Sequence, residues 1–360
     1  MLNFKKPYYY IAISAILVGF ITYLLVIGPL KVDPTYASAN NSVSGSAGNN
    51  SDQKCDYKVG RMNGYKLIKP LLYVDPECES AQLDDIKKSI GGLIEAEKAS
   101  GKMVSASFYL RIFSKGQMCS YNADERFHPA SMNKVPVLIT FMKMAEKNPG
   151  LLDQKFNFVK QANTVPPQVY NSKTIESGHS HTVRELLRYM IAYSDNEATT
   201  LLWTHMNFDE YNKTFTDLGL AKPSFKFEEQ ILSVKEYSTF FKVMYNASYL
   251  SKASSEFCFS LLSQSDFKEG LLKKIPAGTV VAHKFGECTY DVVHAAGEKS
   301  YGKLSELHES GVIYCGDVSY LLVVMTKGSD TRHLADVIGD VSAVVYNALN
   351  KANNAAVSKN

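Results

Sequence analysis

Residues 127–134 read FHPASMNK, and the apolar stretch VPVLITFMKMA follows at 135–145. This pattern predicts a helix over 132–147. Ser131 and Lys134 are three positions apart, almost one helical turn, so the hydroxyl and the amine share a face. A neutral lysine can serve as the base that makes a serine nucleophilic, and a helix start presents free N–H groups to a developing oxyanion. The stretch therefore predicts a serine nucleophile, although S-x-x-K alone arises by chance in many proteins.

A second polar motif, Ser194-Asp195-Asn196, follows a helix predicted over 182–192. Ser194 is placed to relay a proton to a leaving group, and Asn196 to hold a substrate amide or Lys134. Asp195 is expected to fix the loop by accepting bonds from backbone N–H groups. All three are also good helix N-caps, so the motif in isolation would be read as a cap.

A third motif, Lys284-Phe285-Gly286, lies on a strand predicted over 279–285. Lys284 would supply positive charge for a substrate carboxylate and would disfavour a second charge on Lys134. Gly286 would let a substrate backbone approach the strand. The alternative is an ordinary exposed lysine on a sheet edge.

The three motifs in this order resemble the penicillin-recognising serine hydrolases, and most nearly the class A β-lactamase-like family. The resemblance covers about residues 65–350. It implies an α+β fold, in which a five-stranded antiparallel sheet with flanking helices adjoins an all-helical lobe and the active site lies between them. It implies roles for seven residues: Ser131 as the acylated nucleophile, Lys134 as its base, Ser194 and Asn196 as a second wall, Lys284 and Gly286 on the strand, and the N–H groups of Ser131 and Glu287 as the oxyanion hole. No cofactor and no metal are expected.

The sequence departs from that family at the base for deacylation. Class A β-lactamases carry E-x-x-L-N between the second and third motifs, and its glutamate activates the deacylating water. The corresponding interval here contains FEEQILS at 227–233 and no such motif. Glu229, followed by Leu232 and Ser233, is a partial echo of that motif, but the favoured interpretation of Glu228 and Glu229 is that they are solvated charges. A long-lived acyl-enzyme is therefore expected, which favours a penicillin-binding peptidase or a slow lactamase.

A further departure is Phe285, where the family has Thr or Ser to bond the substrate carboxylate. Recognition of that carboxylate would then depend on Lys284. His283 and His308 are alternative helpers, but a lone histidine near a strand is more often structural.

The remaining pattern supports one sheet built from both ends of the chain around a helical middle. A helix with its apolar face at Leu83, Ile86, Ile90, Leu93 and Ile94 is predicted over 83–99. The other predicted strands are 104–113, 117–122, 312–315 and 320–326. The other predicted helices are 196–206, 234–246, 254–263 and 331–349.

The N-terminus carries a nearly unbroken apolar run over residues 8–30, preceded by Lys5 and Lys6. Its length suits a membrane-spanning helix, and the flanking charge predicts a cytoplasmic N-terminus with the rest of the chain outside. The triplet Ala37-Ser38-Ala39 leaves a cleaved signal peptide as the alternative. The chain is therefore predicted to contain three regions. They are a cytoplasmic stub with the membrane anchor at 1–32, a Ser/Asn/Gly-rich linker at 33–54, and the serine hydrolase-like domain at 55–360.

Composition and charge narrow the function classes. The 360 residues are 45% apolar and 21% charged, as in a globular protein, and the net charge of +3 gives no case for nucleic acid as a partner. Six cysteines are too few for a disulfide scaffold, but an oxidising compartment permits bridges. Closeness in the chain suggests Cys55 with Cys78 and Cys288 with Cys315.

Two hypotheses remain from the sequence. The first is a membrane-anchored, extracytoplasmic serine hydrolase that acts through a Ser131 acyl-enzyme on a β-lactam or a D-alanyl peptide of the cell wall. The second is a non-catalytic cell-wall binding protein on the same fold. An inactive descendant would be expected to lose Ser131 or Lys134 first, and both are present.

Overall fold

The computed structural model describes residues 55–160, 169–170, 172–226, 229–291 and 303–357. The chain divides into two units, Met1–Asn50 with Thr289–Leu304 and Ser51–Cys288 with Ser305–Asn360, and the second contains all three motifs. The predicted membrane segment and linker lie outside the described residues. Among the helices within those ranges, none is long and apolar enough to cross a bilayer.

The strands of the described chain are, in order, Tyr57–Arg61 (β1), Leu71–Pro76 (β2), Met103–Ile112 (β3), Gln117–Tyr121 (β4), Lys155–Asn157 (β5), Ser180–Thr182 (β6), Val280–Asp291 (β7), Lys303–Cys315 (β8) and Val318–Gly328 (β9). Five of them form one antiparallel sheet in the spatial order β4-β3-β9-β8-β7, and two small sheets pair β1 with β2 and β5 with β6. The predicted five-stranded sheet built from both ends of the domain is confirmed.

The α-helices are Asp84–Ala99 (α1), Lys134–Lys147 (α2), Val183–Ala192 (α3), Asn196–Thr204 (α4), Phe208–Asp217 (α5), Val234–Tyr245 (α6), Lys252–Leu262 (α7) and Thr331–Val357 (α8). Six were predicted within a few residues of these bounds, and α8, predicted over 331–349, extends eight residues further. Helix α5 was missed because its sequence is mostly polar, with Tyr211 and Phe215 as its buried aromatic residues.

Two apolar cores lie on opposite faces of the five-stranded sheet. One packs the sheet against α1 and α8, through residues such as Ile90 and Ile338. The other joins the sheet to the helical lobe, through residues such as Leu138 and Phe240. The central strand β9 is covered on both faces, so it reads as the continuous apolar run LLVVM at 321–325 and does not alternate with polar residues.

One of the two suggested disulfides forms. Cys55 and Cys78 are bonded, with their Cα atoms 5.6 Å apart. The pairing of Cys288 with Cys315 is wrong, because both are thiols in the structure. Cys288 lies late in β7 and Cys315 is the last residue of the neighbouring antiparallel strand β8. Because the two strands run in opposite directions, the end of β8 lies beside the start of β7. Cys288 and Cys315 therefore lie toward opposite ends of the strand pair, too far apart for a disulfide.

Candidate active site

The predicted nucleophile lies in a tight turn and not yet in the α-helix. A 3-10 turn spans Ala130–Asn133 and leads directly into α2. Ala130 has φ of +48°, a left-handed conformation that costs energy for a residue with a Cβ atom. The buried Met132 side chain and a hydrogen bond from Tyr237 Oη to the Met132 carbonyl, 2.8 Å, hold the turn in place. The fold thus fixes the backbone that carries Ser131.

Lys134 is the first residue of α2, and its amine is buried. Nζ donates to the Ser194 carbonyl at 2.5 Å, to Ser194 Oγ at 3.2 Å and to Asn196 Oδ1 at 2.7 Å. Burial lowers the pKa of Lys134 to about 7, although the charges of Asp195 and Glu287 act in the opposite direction. Near neutral pH the Lys134 amine is uncharged in a large fraction of the molecules and can accept a proton.

The second predicted motif lies directly against this amine because its loop is held by Asp195. That carboxylate caps α4 by accepting from the Glu197 N–H at 2.9 Å. It also accepts from Thr174 Oγ1 and from the Ile175 N–H, each at 2.9 Å. The expected role of Asp195 in fixing the loop is confirmed. Ser194 is fully buried and held at φ of +53°.

Lys284 on β7 completes the cluster. It is fully buried, so the alternative of an exposed strand lysine is wrong. Its Nζ donates to Ser194 Oγ at 2.9 Å and to the Phe285 carbonyl at 2.7 Å. Burial, followed by the charge of Lys134, lowers the pKa of Lys284 well below its usual value. Ser194 Oγ therefore lies between two amines, each within hydrogen-bonding distance.

The electrostatic cause differs from the sequence-based expectation. The low pKa of Lys134 was expected to come from a positive Lys284, but burial is the largest cause for both lysines. Lys284 is also turned toward Ser194, inside the protein. Its expected contact with a substrate carboxylate remains a prediction.

The two residues after Lys284 have different surroundings. Phe285 is buried and stacks on Phe267 with ring centroids 4.1 Å apart, so its side chain belongs to the apolar core. Gly286 packs against the nucleophile turn: a Cβ atom there would lie 2.4 Å from the Pro129 carbonyl oxygen and 2.8 Å from the Met132 nitrogen. The absence of a side chain is required for this contact, and the expected approach of a substrate to Gly286 remains a prediction.

Glu287, expected to contribute its N–H to an oxyanion hole, has a side chain with a role of its own. Its Oε1 accepts from the Tyr170 N–H at 3.0 Å. Burial raises the pKa of Glu287. The carboxylate thus fastens the short segment at 169–170 to β7, and the oxyanion role of its N–H remains a prediction.

A cleft of about 360 Å³ opens beside Ser131. Its lining residues are His128, Ala130, Ser131, Asn133, Lys134, Val137, Asn196, Thr199, Trp203 and Gln230. Three of the predicted site residues, Ser131, Lys134 and Asn196, therefore face the same space. None of these lining residues, all from the described part of the chain, carries a carboxylate.

The glutamates of the 227–233 stretch were interpreted as solvated charges. Glu229 agrees with that interpretation: its side chain is exposed, accepts from Ser224 Oγ at 2.8 Å and pairs with Lys226 Nζ at 2.9 Å. Glu228 lies outside the described residues. The next residue, Gln230, lines the cleft, and no sequence pattern marks it as a site residue.

A buried carboxylate missed by the sequence reasoning orients the segment before Ser131. Glu306 on β8 accepts from the His128 N–H at 2.8 Å. His308 Nδ1 accepts from the Thr326 N–H at 3.1 Å, so the proton of this ring is on Nε2, which lies 3.0 Å from the His128 carbonyl. Burial alone would raise the pKa of Glu306, but hydrogen bonds from His128 and His308 hold it well below its usual range. Both main-chain groups of His128 are thereby fixed.

The second histidine named from the sequence, His283, lies in a comparable pair beside Lys284. Its Nδ1 is 2.5 Å from Glu309 Oε1, and Glu309 Oε2 accepts from the Leu271 N–H at 2.7 Å. Both side chains are fully buried. For His283 and His308 the structural interpretation is therefore correct.

Comparisons with known proteins agree with this arrangement. A β-lactamase from Bacteroides uniformis is 23% identical over 292 residues, which cover 74% of this chain and 92% of that protein. The D-alanyl-D-alanine carboxypeptidase DacF of Bacillus subtilis is 26% identical over 160 residues, or 42% of this chain and 40% of that protein. Among solved structures, the acyl-enzyme complex of a PBP-A variant with penicillin G has a TM-score of 0.60 at 20% identity, covering 75% of this chain and 97% of that one. This last similarity shows the fold.

A family model described as the β-lactamase enzyme family matches residues 85–349. That range contains the nucleophile turn, the loop of the second motif and the strand of the third. The five-stranded sheet with its helical lobe is the β-lactamase/transpeptidase-like fold implied by the resemblance. The chain therefore belongs to the β-lactamase enzyme family, and it is a serine hydrolase.

Proposed function

We propose that this protein is a membrane-anchored, extracytoplasmic hydrolase whose Ser131 is acylated by β-lactams or by D-alanyl peptides of the cell wall. The observation that carries the proposal is the buried Lys134 amine, with a pKa of about 7, on the same helical turn as a serine that lines an open cleft. A non-catalytic binding protein would have no need of a partly neutral buried amine at this position. The Cys55–Cys78 disulfide supports a location in an oxidising compartment.

Acylation begins with transfer of the Ser131 proton to neutral Lys134 as Ser131 Oγ bonds to the carbonyl carbon of the substrate. When the carbon–nitrogen bond breaks, the leaving nitrogen needs a proton. Ser194 Oγ lies 3.2 Å from Lys134 Nζ and 2.9 Å from Lys284 Nζ, so it can pass its own proton on and regain one from Lys134. In total, one proton moves from Ser131 to the leaving group, and the enzyme is left as an ester.

Hydrolysis of that ester requires a base for the attacking water. The described lining of the cleft offers hydroxyl, amide, imidazole and lysine groups but no carboxylate. We infer a slow second step and a long-lived acyl-enzyme, as in a penicillin-binding peptidase. Efficient turnover by the class A route would need a carboxylate, which the described lining does not contain.

The proposal is tested by incubating the full-length protein with penicillin G and measuring its intact mass. The expected result is a covalent adduct with the mass of one whole penicillin, which persists after the free drug is removed. Peptide mapping should place the adduct on Ser131. A folded protein that gains no mass, or an adduct on another residue, would contradict the proposed nucleophile. Rapid return to the unmodified mass would instead contradict slow deacylation.

The rate of acylation should depend on pH in a direction set by Lys134. Because the pKa of Lys134 is about 7, the neutral fraction falls as the pH drops through that value. Acylation at pH 6 should be about tenfold slower than at pH 8, since each unit below the pKa removes roughly nine-tenths of the free base. Stopped-flow measurement with a fluorescent penicillin checks the profile. A rate that rises toward acid would contradict a lysine base.

A further inference from the structure

The first described element of the domain is a hairpin, and most of its large apolar side chains are exposed. We call residues 57–74, which include β1 and most of β2, the N-terminal hairpin. Of the thirteen large apolar side chains exposed in the described part of the chain, seven lie here. They are Tyr57, Val59, Tyr65, Leu67, Ile68, Leu71 and Val74. Apolar side chains concentrated in this way mark a contact surface more often than scattered ones.

The exposed residues form a tip and a continuous outer face. At the tip, Leu67 is 90% exposed and Ile68 60% exposed. On the strands, Val59 lies directly opposite Val74. These aliphatic side chains flank two exposed tyrosines, a residue type that prefers the boundary between lipid and water.

The charge of the N-terminal hairpin has one sign. Four basic residues, Lys58, Arg61, Lys66 and Lys69, lie among the apolar ones, and no acidic residue occurs between 57 and 74. None of the four makes an ion pair within the described part of the chain. Exposed aliphatic and tyrosine side chains interleaved with unpaired cations are the composition that binds an anionic bilayer surface.

The hairpin is held rigidly, so its exposed face is not the result of a loose segment. The Cys55–Cys78 disulfide closes its base. Arg61 Nη1 donates to the Lys69 carbonyl at 2.8 Å and orders the tip. At the end of β2, the Asp75 carboxylate pairs with the buried Lys242 of α6 and so joins the hairpin to the core.

We propose that the N-terminal hairpin docks onto the anionic surface of the membrane, with Leu67 and Ile68 inserted among the lipid headgroups. The chain enters the folded domain at this hairpin, directly after residues 1–54 and their apolar run at 8–30. Of all the surfaces of the domain, this one is therefore closest along the chain to the proposed anchor. Docking would fix the orientation of the domain, whereas an anchor alone would leave the orientation to the linker.

The test uses the full-length protein and a tryptophan placed at the tip. The chain has one tryptophan, Trp203, so Trp203→Phe gives a silent background. Leu67→Trp is compared with Val104→Trp, at an exposed apolar position outside the hairpin. In vesicles of phosphatidylglycerol that contain brominated lipid, the tryptophan at position 67 should be quenched at least threefold more strongly than that at position 104.

Charge reversal supplies the matched control. Lys66→Glu with Lys69→Glu should abolish most of the extra quenching at position 67, whereas Lys88→Glu with Lys252→Glu, the same change on exposed helical positions, should leave it intact. Equal quenching at positions 67 and 104, or no effect of the hairpin charges, would overturn the proposal. A shift of the emission at position 67 with protein concentration in lipid-free detergent would overturn it in favour of pairing with a second copy. Flotation of the chain with vesicles reports the anchor separately, so failure of docking is distinguishable from failure of the proposed membrane address.

Discussion

Lys134→Ala should slow the acylation of Ser131 by penicillin G about a thousandfold. The proposed base for this serine is the Lys134 amine, and general-base assistance is worth roughly 10²–10⁴ in rate. Ser131→Ala lacks the nucleophile and serves as the negative control, in which no acylation is expected. The rate is followed by stopped-flow fluorescence with a labelled penicillin, and the intact mass after long incubation detects any slow residual reaction.

A matched variant on the same helix separates catalysis from folding. Lys147 lies in the last turn of α2, where its exposed side chain pairs with Glu210. Lys147→Ala should acylate at the wild-type rate. Thermal unfolding of Lys134→Ala shows whether the fold is intact, and its acylation should no longer change between pH 6 and 8. Wild-type acylation in a folded Lys134→Ala variant would rule out Lys134 as the base.

The motif spacing predicted which residues meet, because each motif lies at a point that the fold keeps rigid. Ser131 and Lys134 share one turn, Asp195 fixes the loop that carries Ser194, and β7 is a strand of the main sheet. Ser131, Lys134 and Asn196 accordingly line one cleft, and Ser194 Oγ lies within hydrogen-bonding distance of Lys134 and Lys284. Strand β9 could also be predicted, because it is an unbroken apolar run. The helix α8 that packs on the sheet could be predicted from its clear apolar face.

What could not be predicted depends on contacts between residues distant in the chain. Glu306 fixes the backbone of His128 across 178 positions, and no local pattern marks that carboxylate as important. Gly286 was assigned to the substrate because a glycine in a strand indicates a close approach, and that prediction did not include the close contact that Gly286 makes with the chain's own Pro129 carbonyl. The orientation of the Phe285 side chain could have been predicted from the sequence. Side chains alternate along a strand, so the residue next to Lys284 faces the opposite side of the sheet.

The N-terminal hairpin was missed for a related reason. A strand is recognised by one apolar face that is buried, whereas β1 exposes Tyr57 and Val59 and buries neither. The sequence of β1, YKVGR, does alternate apolar and polar residues, but the run is short and the sequence does not show that its apolar side chains face outward. Exposed apolar groups in a rigid element are informative, because they need a partner other than the core.

Gln230→Glu should shorten the life of the acyl-enzyme about a hundredfold. Gln230 and Ser131 line the same cleft, so a carboxylate at position 230 would face the space where water must approach the ester. An amide cannot take a proton from that water, whereas a carboxylate can, and such assistance is typically worth 10²–10⁴ in rate. The measurement is the return of the unmodified mass after brief exposure to penicillin G and removal of the drug.

The neighbouring glutamate provides the control for this substitution. Glu229 is exposed and pairs with Lys226, so Glu229→Gln changes the charge of the same loop by the opposite amount and should leave the lifetime within about twofold. Acylation itself should remain close to the wild-type rate in both variants, because Lys134 and Ser194 are untouched. If Gln230→Glu leaves the lifetime unchanged while the wild-type adduct is stable, position 230 does not reach the attacking water. If the wild-type adduct is already short-lived and Glu229→Gln stabilises it, Glu229 is the base, and the cleft is more open to that carboxylate than its pairing with Lys226 indicates.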